Sequence, residues 1–162
     1  MESKIIRPRN YFYEFLVFAN GLALVGIWWI ILRSVREAIM AGCVSYLILA
    51  RVLRYGFQKH HRRGMKLVRE KNYSAAAAAF QQSYEFFQKH PAVDKYRFIT
   101  MFSSNAIPYQ QMALNNMGLC YLHMEENIKA LDAFKNLAAL NMDFPNVTKV
   151  IEEIQKNIDK TA

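Results

Sequence analysis

The chain has 162 residues, of which 53% are hydrophobic and 21% are charged, and its formal net charge is +8. This length suits one modest domain, or a membrane element joined to a small soluble domain, and the only two cysteines, Cys43 and Cys120, argue against a disulfide framework. Many of the bases flank apolar segments, so the basic excess favours an anionic membrane surface as partner and argues against nucleic acid.

The first predicted element is an apolar helix from Tyr11 to Leu32, which holds a single charge, Glu14. Its 22 residues would span about 33 Å, enough to cross a hydrocarbon core of about 30 Å. Tyrosines at its start and Trp28 and Trp29 near its end suit the two wet edges of a bilayer. A cleaved secretory signal is the alternative, but the apolar run is long for one and no small-x-small cleavage site follows directly.

A second membrane helix is predicted at about 36–55. Its uncharged centre, from Ala38 to Ala50, is only about 20 Å long as a helix and is too short to span. The longer segment spans if arginines near its ends, such as Arg36 and Arg54, extend their side chains to the interface. A buried or interfacial helix is the alternative. Residues 1–57 are therefore predicted to be a membrane anchor, with a helical hairpin as its simplest form.

The distribution of bases predicts how this hairpin is oriented. Only Arg33 and Arg36 lie in the connection between the two helices. The bases outside it are Lys4, Arg7, Arg9, Arg51, Arg54, Lys59, Arg62, Arg63 and Lys66. Because cytoplasmic flanks carry the excess of lysine and arginine, we expect an integral membrane protein with both ends, and the domain that follows, in the cytoplasm.

Small residues recur at helical spacing in both apolar segments. In the second segment they are Ala38, Ala41, Gly42 and Ser45, and in the first they are Ala19, Ala23 and Gly26. Such faces let membrane helices approach closely. The face in the second segment is predicted either to pack inside the hairpin or to be a membrane docking face for another protein.

Beyond residue 57 the chain contains an internal repeat. Two sets of residues share the same three intervals: Gly64, Ala76, Phe80 and Pro91, and then Gly118, Ala130, Phe134 and Pro145. A glycine on one helix and an alanine on the next let two antiparallel helices pack closely, and the aromatic residue fills the space beyond. The repeat therefore predicts two helical hairpins.

These two stretches resemble the tetratricopeptide repeat (TPR) family, at about 60–91 and 111–145. The matching positions are Gly64, Leu67, Tyr73, Ala76, Phe80, Leu114, Gly118, Tyr121, Ala130 and Phe134. The resemblance implies an all-α stack of hairpins that binds a peptide or protein on a concave face. It does not extend into the membrane segments.

The chain departs from the family in the spacing of its repeats, which are 54 residues apart instead of about 34. Residues 92–110 form an insert, predicted to start a helix after Pro91 and to break near Asn105–Pro108. The aromatic residues of the insert would cap the first repeat, fill a groove or touch the membrane surface. Residues 147–160 predict an amphipathic capping helix that closes the domain 58–162.

The resemblance also indicates where a partner would bind. First-helix residues would line the groove, which places Asn115, Asn116, Leu119 and His123 in it. A carboxylate clamp of the kind known in this family is not expected, because His61 and Met65 stand where the first repeat would supply its share. The bases Lys59, Arg62, Arg63 and Lys66 follow a membrane helix directly and would suit anionic lipid head groups.

Signatures of catalysis are missing from the sequence. It has no glycine-rich phosphate loop, nucleophile motif or CxxC pair, and the adjacent His60 and His61 point to different sides of a helix. We therefore expect no enzyme, no cofactor and no metal site, but a membrane-anchored adaptor or scaffold for protein–protein interaction. One alternative is an accessory subunit of a membrane transport or insertion complex that docks through its hairpin. A second is an enzyme with an intramembrane site at Glu14 or Arg36–Glu37.

Overall fold

The computed structural model describes residues 11–141 and 144–161. The bases Lys4, Arg7 and Arg9, used above for orientation, lie outside this part of the chain. The described residues form nine α-helices: α1 (Tyr11–Leu32), α2 (Val35–Phe57), α3 (Lys59–Arg69), α4 (Tyr73–Lys89), α5 (Pro91–Lys95), α6 (Arg97–Thr100), α7 (Tyr109–His123), α8 (Asn127–Leu140) and α9 (Val147–Thr161).

The prediction of an all-α fold is confirmed, since no strand occurs in the described ranges. These residues divide into two compact units. The hairpin unit comprises 11–58 and 92–107, and the repeat unit comprises 59–91, 108–141 and 144–161. The insert therefore belongs with the apolar helices and not, as predicted from the sequence, with the domain 58–162.

In the hairpin unit, α1 and α2 are each long and apolar enough to cross a membrane. They contain 22 and 23 residues, which corresponds to about 33 and 35 Å of helix. The turn between them consists of Arg33 and Ser34, and Arg33 has a positive φ of 57°. Their bounds coincide closely with the predicted 11–32 and 36–55.

The small-residue face of α2 packs against α1 of the same chain. A Cβ atom at Gly42 would lie 2.6 Å from Val25 Cγ2 and 2.9 Å from Val25 Cα. Ser45 Oγ accepts a hydrogen bond of 2.9 Å from Trp28 Nε1, and Ala38 is only 1% exposed. Ala38 and Gly42 are thus covered within the hairpin, whereas Ala41 and Ser45 are partly exposed. These contacts support the alternative that the face packs inside the hairpin, and its docking to another membrane protein stays a prediction.

The insert starts with the short helices α5 and α6 and continues without helical structure to residue 108, as predicted from its proline and asparagine residues. Its aromatic side chains contact the two long helices: Phe98 stacks on Tyr13 at 6.0 Å between ring centroids, and Phe102 meets Tyr46 edge-on at 5.0 Å. The interpretation of these rings as a cap on the first repeat is therefore wrong for Phe98 and Phe102.

The repeat unit contains two helical hairpins in series, α3 with α4 and α7 with α8. Helix α4 packs on α7, and α9 packs on α8, so the helices form a consecutive stack. Helix α9 buries Val147 and Ile154 and leaves Glu152, Glu153 and Lys156 exposed. The prediction of an amphipathic final helix is confirmed. Helix α3 is separate from α2, since Gln58 interrupts the helical run between them.

Both hairpins close with the same turn. Lys71 and Glu125, 54 positions apart, have positive φ values of 57° and 59°. After Lys71, the amide of Asn72 donates to Leu67 O; after Glu125, the amide of Glu126 donates to Tyr121 O. This pairing is the Schellman motif, in which a left-handed residue ends the first helix. The repeat seen in the sequence is therefore also a repeat of backbone conformation.

We expect Glu125→Gly to stabilise the repeat unit by up to about 1 kcal/mol, because a side chain disfavours the left-handed region and glycine does not. The measurement is the denaturation midpoint of the full chain, followed by circular dichroism. The matched control, Glu125→Ala, removes the same carboxylate but keeps the Cβ. An equal gain from alanine would attribute the effect to charge and contradict the backbone explanation.

Candidate functional site

The packing of each hairpin depends on a glycine beneath an aromatic ring. A Cβ at Gly64 would lie 2.7 Å from Phe80 Cε1, and a Cβ at Gly118 would lie 2.7 Å from Phe134 Cε2. Phe80 and Phe134 are fully buried. The two helices of a hairpin can approach this closely only because the glycine has no side chain. The pairs chosen from the sequence are brought together in both repeats.

The remaining repeat-packing residues divide into two groups. Ala76, Ala130 and Leu114 are buried, whereas Leu67, Tyr73 and Tyr121 are partly exposed. The aromatic ring of Tyr73 has a partner on the other repeat: it stacks on His123 with centroids 4.5 Å apart and planes at 10°. Tyr73 thus links the two neighbouring hairpins at the surface of the stack.

The offset of 54 residues allows the two first helices, α3 and α7, to be compared position by position. Ala113, Met117 and Cys120 of α7 are buried, on a helix that packs against α4. The equivalent residues of α3 are, respectively, the exposed bases Lys59, Arg63 and Lys66. Polar residues at such positions are expected in the terminal member of a repeat stack. The bases on this side of α3 are therefore explained by the position of α3 at the end of the stack. This explanation stands beside the lipid contact predicted for Lys59, Arg62, Arg63 and Lys66.

A second set of equivalent positions lies next to this one. Arg62, Met65 and Arg69 of α3 correspond to Asn116, Leu119 and His123 of α7, and we call these six residues the α3–α7 surface. The two helices are in contact, and Asn116 Nδ2 lies 3.7 Å from Met65 Sδ. Within each helix the three positions follow helical spacing and share a face. Three of the four predicted groove residues therefore lie on one surface made by both repeats.

Asn115 lies at the edge of the α3–α7 surface, where its Nδ2 donates to Asn116 Oδ1 at 3.4 Å. His61 lies elsewhere, since its ring meets the rings of Phe80 and Tyr109 at centroid distances of 5.4 Å. It is held between aromatic side chains of the repeat unit and is not a groove residue. This placement argues against a carboxylate clamp, which would need a polar side chain there directed at the ligand.

The charge of the α3–α7 surface comes from its α3 half. Helix α3 contains Lys59, Arg62, Arg63, Lys66 and Arg69 and no acidic residue. One nearby carboxylate, on Glu70, pairs with Lys66 at 3.7 Å, and both side chains are well exposed, so solvent screens the pair. The surface therefore offers hydrogen-bond donors from two arginines and an amide, and apolar contact from Met65 and Leu119.

Reactive groups are few in the described part of the chain. No group of three histidine, cysteine or acidic side chains there is arranged to hold a metal ion. Cys43 and Cys120 are both free. Burial raises the pKa of the Cys120 thiol to about 11, so this group is protonated and inert near neutral pH.

Three residues of the hairpin unit make contacts that were not predicted from the sequence, and those of Asn20 and Arg54 are long-range. Asn20, Arg54 and Arg97 each donate side-chain hydrogen bonds to backbone oxygens of the insert. Asn20 carried a signal, because an amide inside an apolar helix needs a partner. Arg97 had none in the sequence pattern, since a single arginine among aromatic residues is equally typical of an exposed loop.

The class of protein defined by these observations is an all-α protein with two helices long enough to span a membrane and a stack of glycine-packed helical hairpins. No protein-family model, curated protein or solved structure matches the chain.

Proposed function

We propose that this protein is a membrane-anchored, TPR-like adaptor whose α3–α7 surface binds a protein or peptide partner. The observation that carries the proposal is the alignment of equivalent positions from two repeats on one surface, with Asn116 beside Met65. A surface assembled from several repeats can follow an extended segment, each repeat contributing the same side-chain positions. The mechanism is binding without turnover.

The anchor in this proposal is the hairpin of α1 and α2. Both helices have the length and composition to span a membrane. Most of the large apolar side chains on α1 are not covered by other parts of the protein. A bilayer would cover such a surface. The excess of bases on the two flanks, compared with Arg33 and Arg36 in the turn, favours placing both chain ends and the repeat unit in the cytoplasm.

The partner segment we propose is acidic with at least one apolar side chain. The acidic groups would meet Arg62 and Arg69, and the apolar group would contact Met65 and Leu119. Anionic lipid head groups are a further proposed contact for the bases on the other side of α3, Lys59, Arg63 and Lys66, because these follow the anchor directly.

The experiment is capture of partners by the full-length protein in mild detergent, followed by mass spectrometry. The test variant is Leu119→Glu, which places a carboxylate on the α3–α7 surface. The control is Ile128→Glu, a well exposed position on α8. We expect the first variant to lose at least about tenfold of the captured partner, a cost of 1.4 kcal/mol, and the control to retain it. Equal capture by both variants would refute the proposed surface.

An accessory subunit that docks through the hairpin is the second candidate. It is favoured by one observation, that a Cβ at Gly26 would meet nothing within 4 Å, so this side of α1 is open. If capture survives Leu119→Glu but is lost in Gly26→Leu, the partner binds the hairpin and the second candidate replaces the first.

A further inference from the structure

The backbone of the insert, residues 92–107, has its carbonyl groups capped by side chains. Asn20 Nδ2 donates to Phe98 O at 2.9 Å, and Arg54 donates to Met101 O at 3.1 Å and also to Phe102 O. Thr100 Oγ1 donates to Val93 O at 2.7 Å. In water such carbonyls need no protein donor, because water molecules can donate to them. In hydrocarbon each unpaired carbonyl costs several kcal/mol, so a protein donor is required.

Arg97 completes this pattern. It is only 4% exposed, and its guanidinium donates to three carbonyls: Nη1 to Asp94 O at 2.9 Å, Nε to Asn105 O at 2.8 Å and Nη2 to Ala106 O at 2.8 Å. The same group lies 4.9 Å from the centre of the Tyr13 ring. One buried side chain thus satisfies carbonyls at both ends of the insert and fixes it as a closed loop.

The contacts of the insert also define its level along the hairpin. Phe98 O is bound by Asn20, nine residues from the start of α1, or about 13 Å along the helix axis. Phe102 meets Tyr46, eleven residues from the end of α2, or about 16 Å from that end. Since α1 and α2 run antiparallel, these levels agree. They lie close to the middle of a hydrocarbon core about 30 Å thick. Other contacts of the same residues lie at the edge of the core, since the Phe98 ring stacks on Tyr13 near the start of α1 and Arg54 near the end of α2 binds Phe102 O. The insert therefore extends from that edge to about the middle of the core.

The charged residues of the insert lie near its start, and its deeper contacts are made by aromatic residues. Its three charged residues, Asp94, Lys95 and Arg97, all lie in its first half. Arg97 lies beside Tyr13 near the start of α1, whereas the Phe98 carbonyl and the Phe102 ring contact the deeper residues Asn20 and Tyr46. On the outer surface Ile99 is 51% exposed, and the amine of Lys95 lies over the ring of the exposed Tyr96 at 5.5 Å. Lysine and tyrosine of this kind are typical of the boundary between head groups and acyl chains.

From these observations we propose that residues 92–107 form a re-entrant segment of the membrane anchor, embedded beside α1 and α2 in the leaflet that contains the start of α1, with Ile99 against lipid. The inference rests on the proposed anchoring of α1 and α2 in a bilayer. It makes the anchor a three-part structure whose third part enters and leaves the same leaflet.

The test uses full-length protein in liposomes of phosphatidylcholine and phosphatidylglycerol, with a nitroxide attached to one introduced cysteine. Cys43 is changed to alanine, while Cys120 stays because its thiol is 2% exposed and has a pKa of about 11. The test position is Ile99→Cys. The membrane reference is Leu22→Cys on α1, and the aqueous reference is Ile128→Cys on α8, which is 76% exposed. Relaxation by oxygen reports lipid, and relaxation by a polar nickel chelate reports water.

We expect the label at position 99 to resemble that at position 22, with nickel relaxation at least about fivefold below that at position 128, because polar solutes are excluded from hydrocarbon. If position 22 is in lipid but position 99 is in water, the re-entrant segment is refuted and the anchor survives. If position 99 is shielded from both reagents, protein covers it and the inference is likewise refuted. If position 22 itself is in water, the anchor fails and the inference fails with it.

Discussion

Replacing Gly42 by leucine is expected to separate α1 from α2 and to destabilise the hairpin unit by at least about 1–3 kcal/mol. Even a Cβ at this position would lie 2.9 Å from Val25 Cα and 3.0 Å from Val25 N. These are backbone atoms, so no change of rotamer relieves the contact. The whole of α1 would have to move, and the packing along the helix pair would be lost.

A single tryptophan reports this separation. In a Trp29→Phe background, Trp28 remains, and its Nε1 donates to Ser45 Oγ at 2.9 Å across the hairpin. We expect Gly42→Leu to break this hydrogen bond, to shift the emission of Trp28 and to lower the midpoint of denaturation in detergent. The readout belongs to the hairpin and is insensitive to unfolding of the repeat unit, whose described residues contain no tryptophan.

The matched control is Gly26→Leu, a second glycine in the same hairpin whose Cβ would meet no atom within 4 Å. It adds the same bulk and leaves the interface alone, so we expect no loss of stability. Similar losses in both variants would mean that α1 and α2 do not pack through Gly42. Docking of another protein to the hairpin should therefore be tested at Gly26. A large side chain at Gly42 would damage the hairpin itself, whereas one at Gly26 alters only an open face.

In the repeat unit, Gly118→Ala is expected to lower stability by about 1–2 kcal/mol. The added Cβ would lie between 2.7 and 3.0 Å from three atoms of the Phe134 ring, which is 1% exposed and has no room to move. Overpacking of this kind costs about 1–3 kcal/mol, and the better helix propensity of alanine offsets about 0.5–1 kcal/mol. In a unit of this size each lost kcal/mol lowers Tm by about 4–8 °C.

The thiol of Cys120 provides the measurement, because it lies two residues from Gly118 and is inaccessible in the folded unit. In a Cys43→Ala background, its labelling rate during thermal denaturation reports opening of the repeat unit alone. Gly64→Ala serves as a replicate, with Phe80 at the same 2.7 Å. The double variant Gly118→Ala with Phe134→Leu should lose less than the sum of the two single variants. Strict additivity would mean that the ring and the glycine do not interact.

The elements predicted from the sequence are those determined by local pattern. Apolar runs fixed the bounds of α1 and α2, and the repeated glycine, alanine and aromatic intervals located both hairpins, because close helix packing demands small residues at set positions. The turns at Lys71 and Glu125 were not predicted, since neither lysine nor glutamate favours a left-handed conformation. Their presence follows from the shared hairpin geometry.

The packing of the insert against α1 and α2 was not predicted, because it depends on contacts between residues far apart in the chain. Asn20 and Phe98 are 78 positions apart, and Arg54 and Phe102 are 48 apart. Such hydrogen bonds leave no periodic pattern. The positions of Asn116, Leu119 and His123 on one helix face follow from their spacing. The contact of Asn116 with Met65 could not be predicted in this way, because it joins residues 51 positions apart in the chain.

The location of the insert bears on how a soluble form of this protein should be made. Deleting everything before residue 58 removes Asn20 and Arg54 and strips three carbonyls of their donors, while Phe98 and Phe102 lose the rings they contact. The shortened protein would expose a loop with uncovered aromatic rings and unpaired carbonyls, and we expect it to aggregate. A hydrophilic linker in place of residues 92–107 would be needed as well, so two cuts are required where the sequence suggests one.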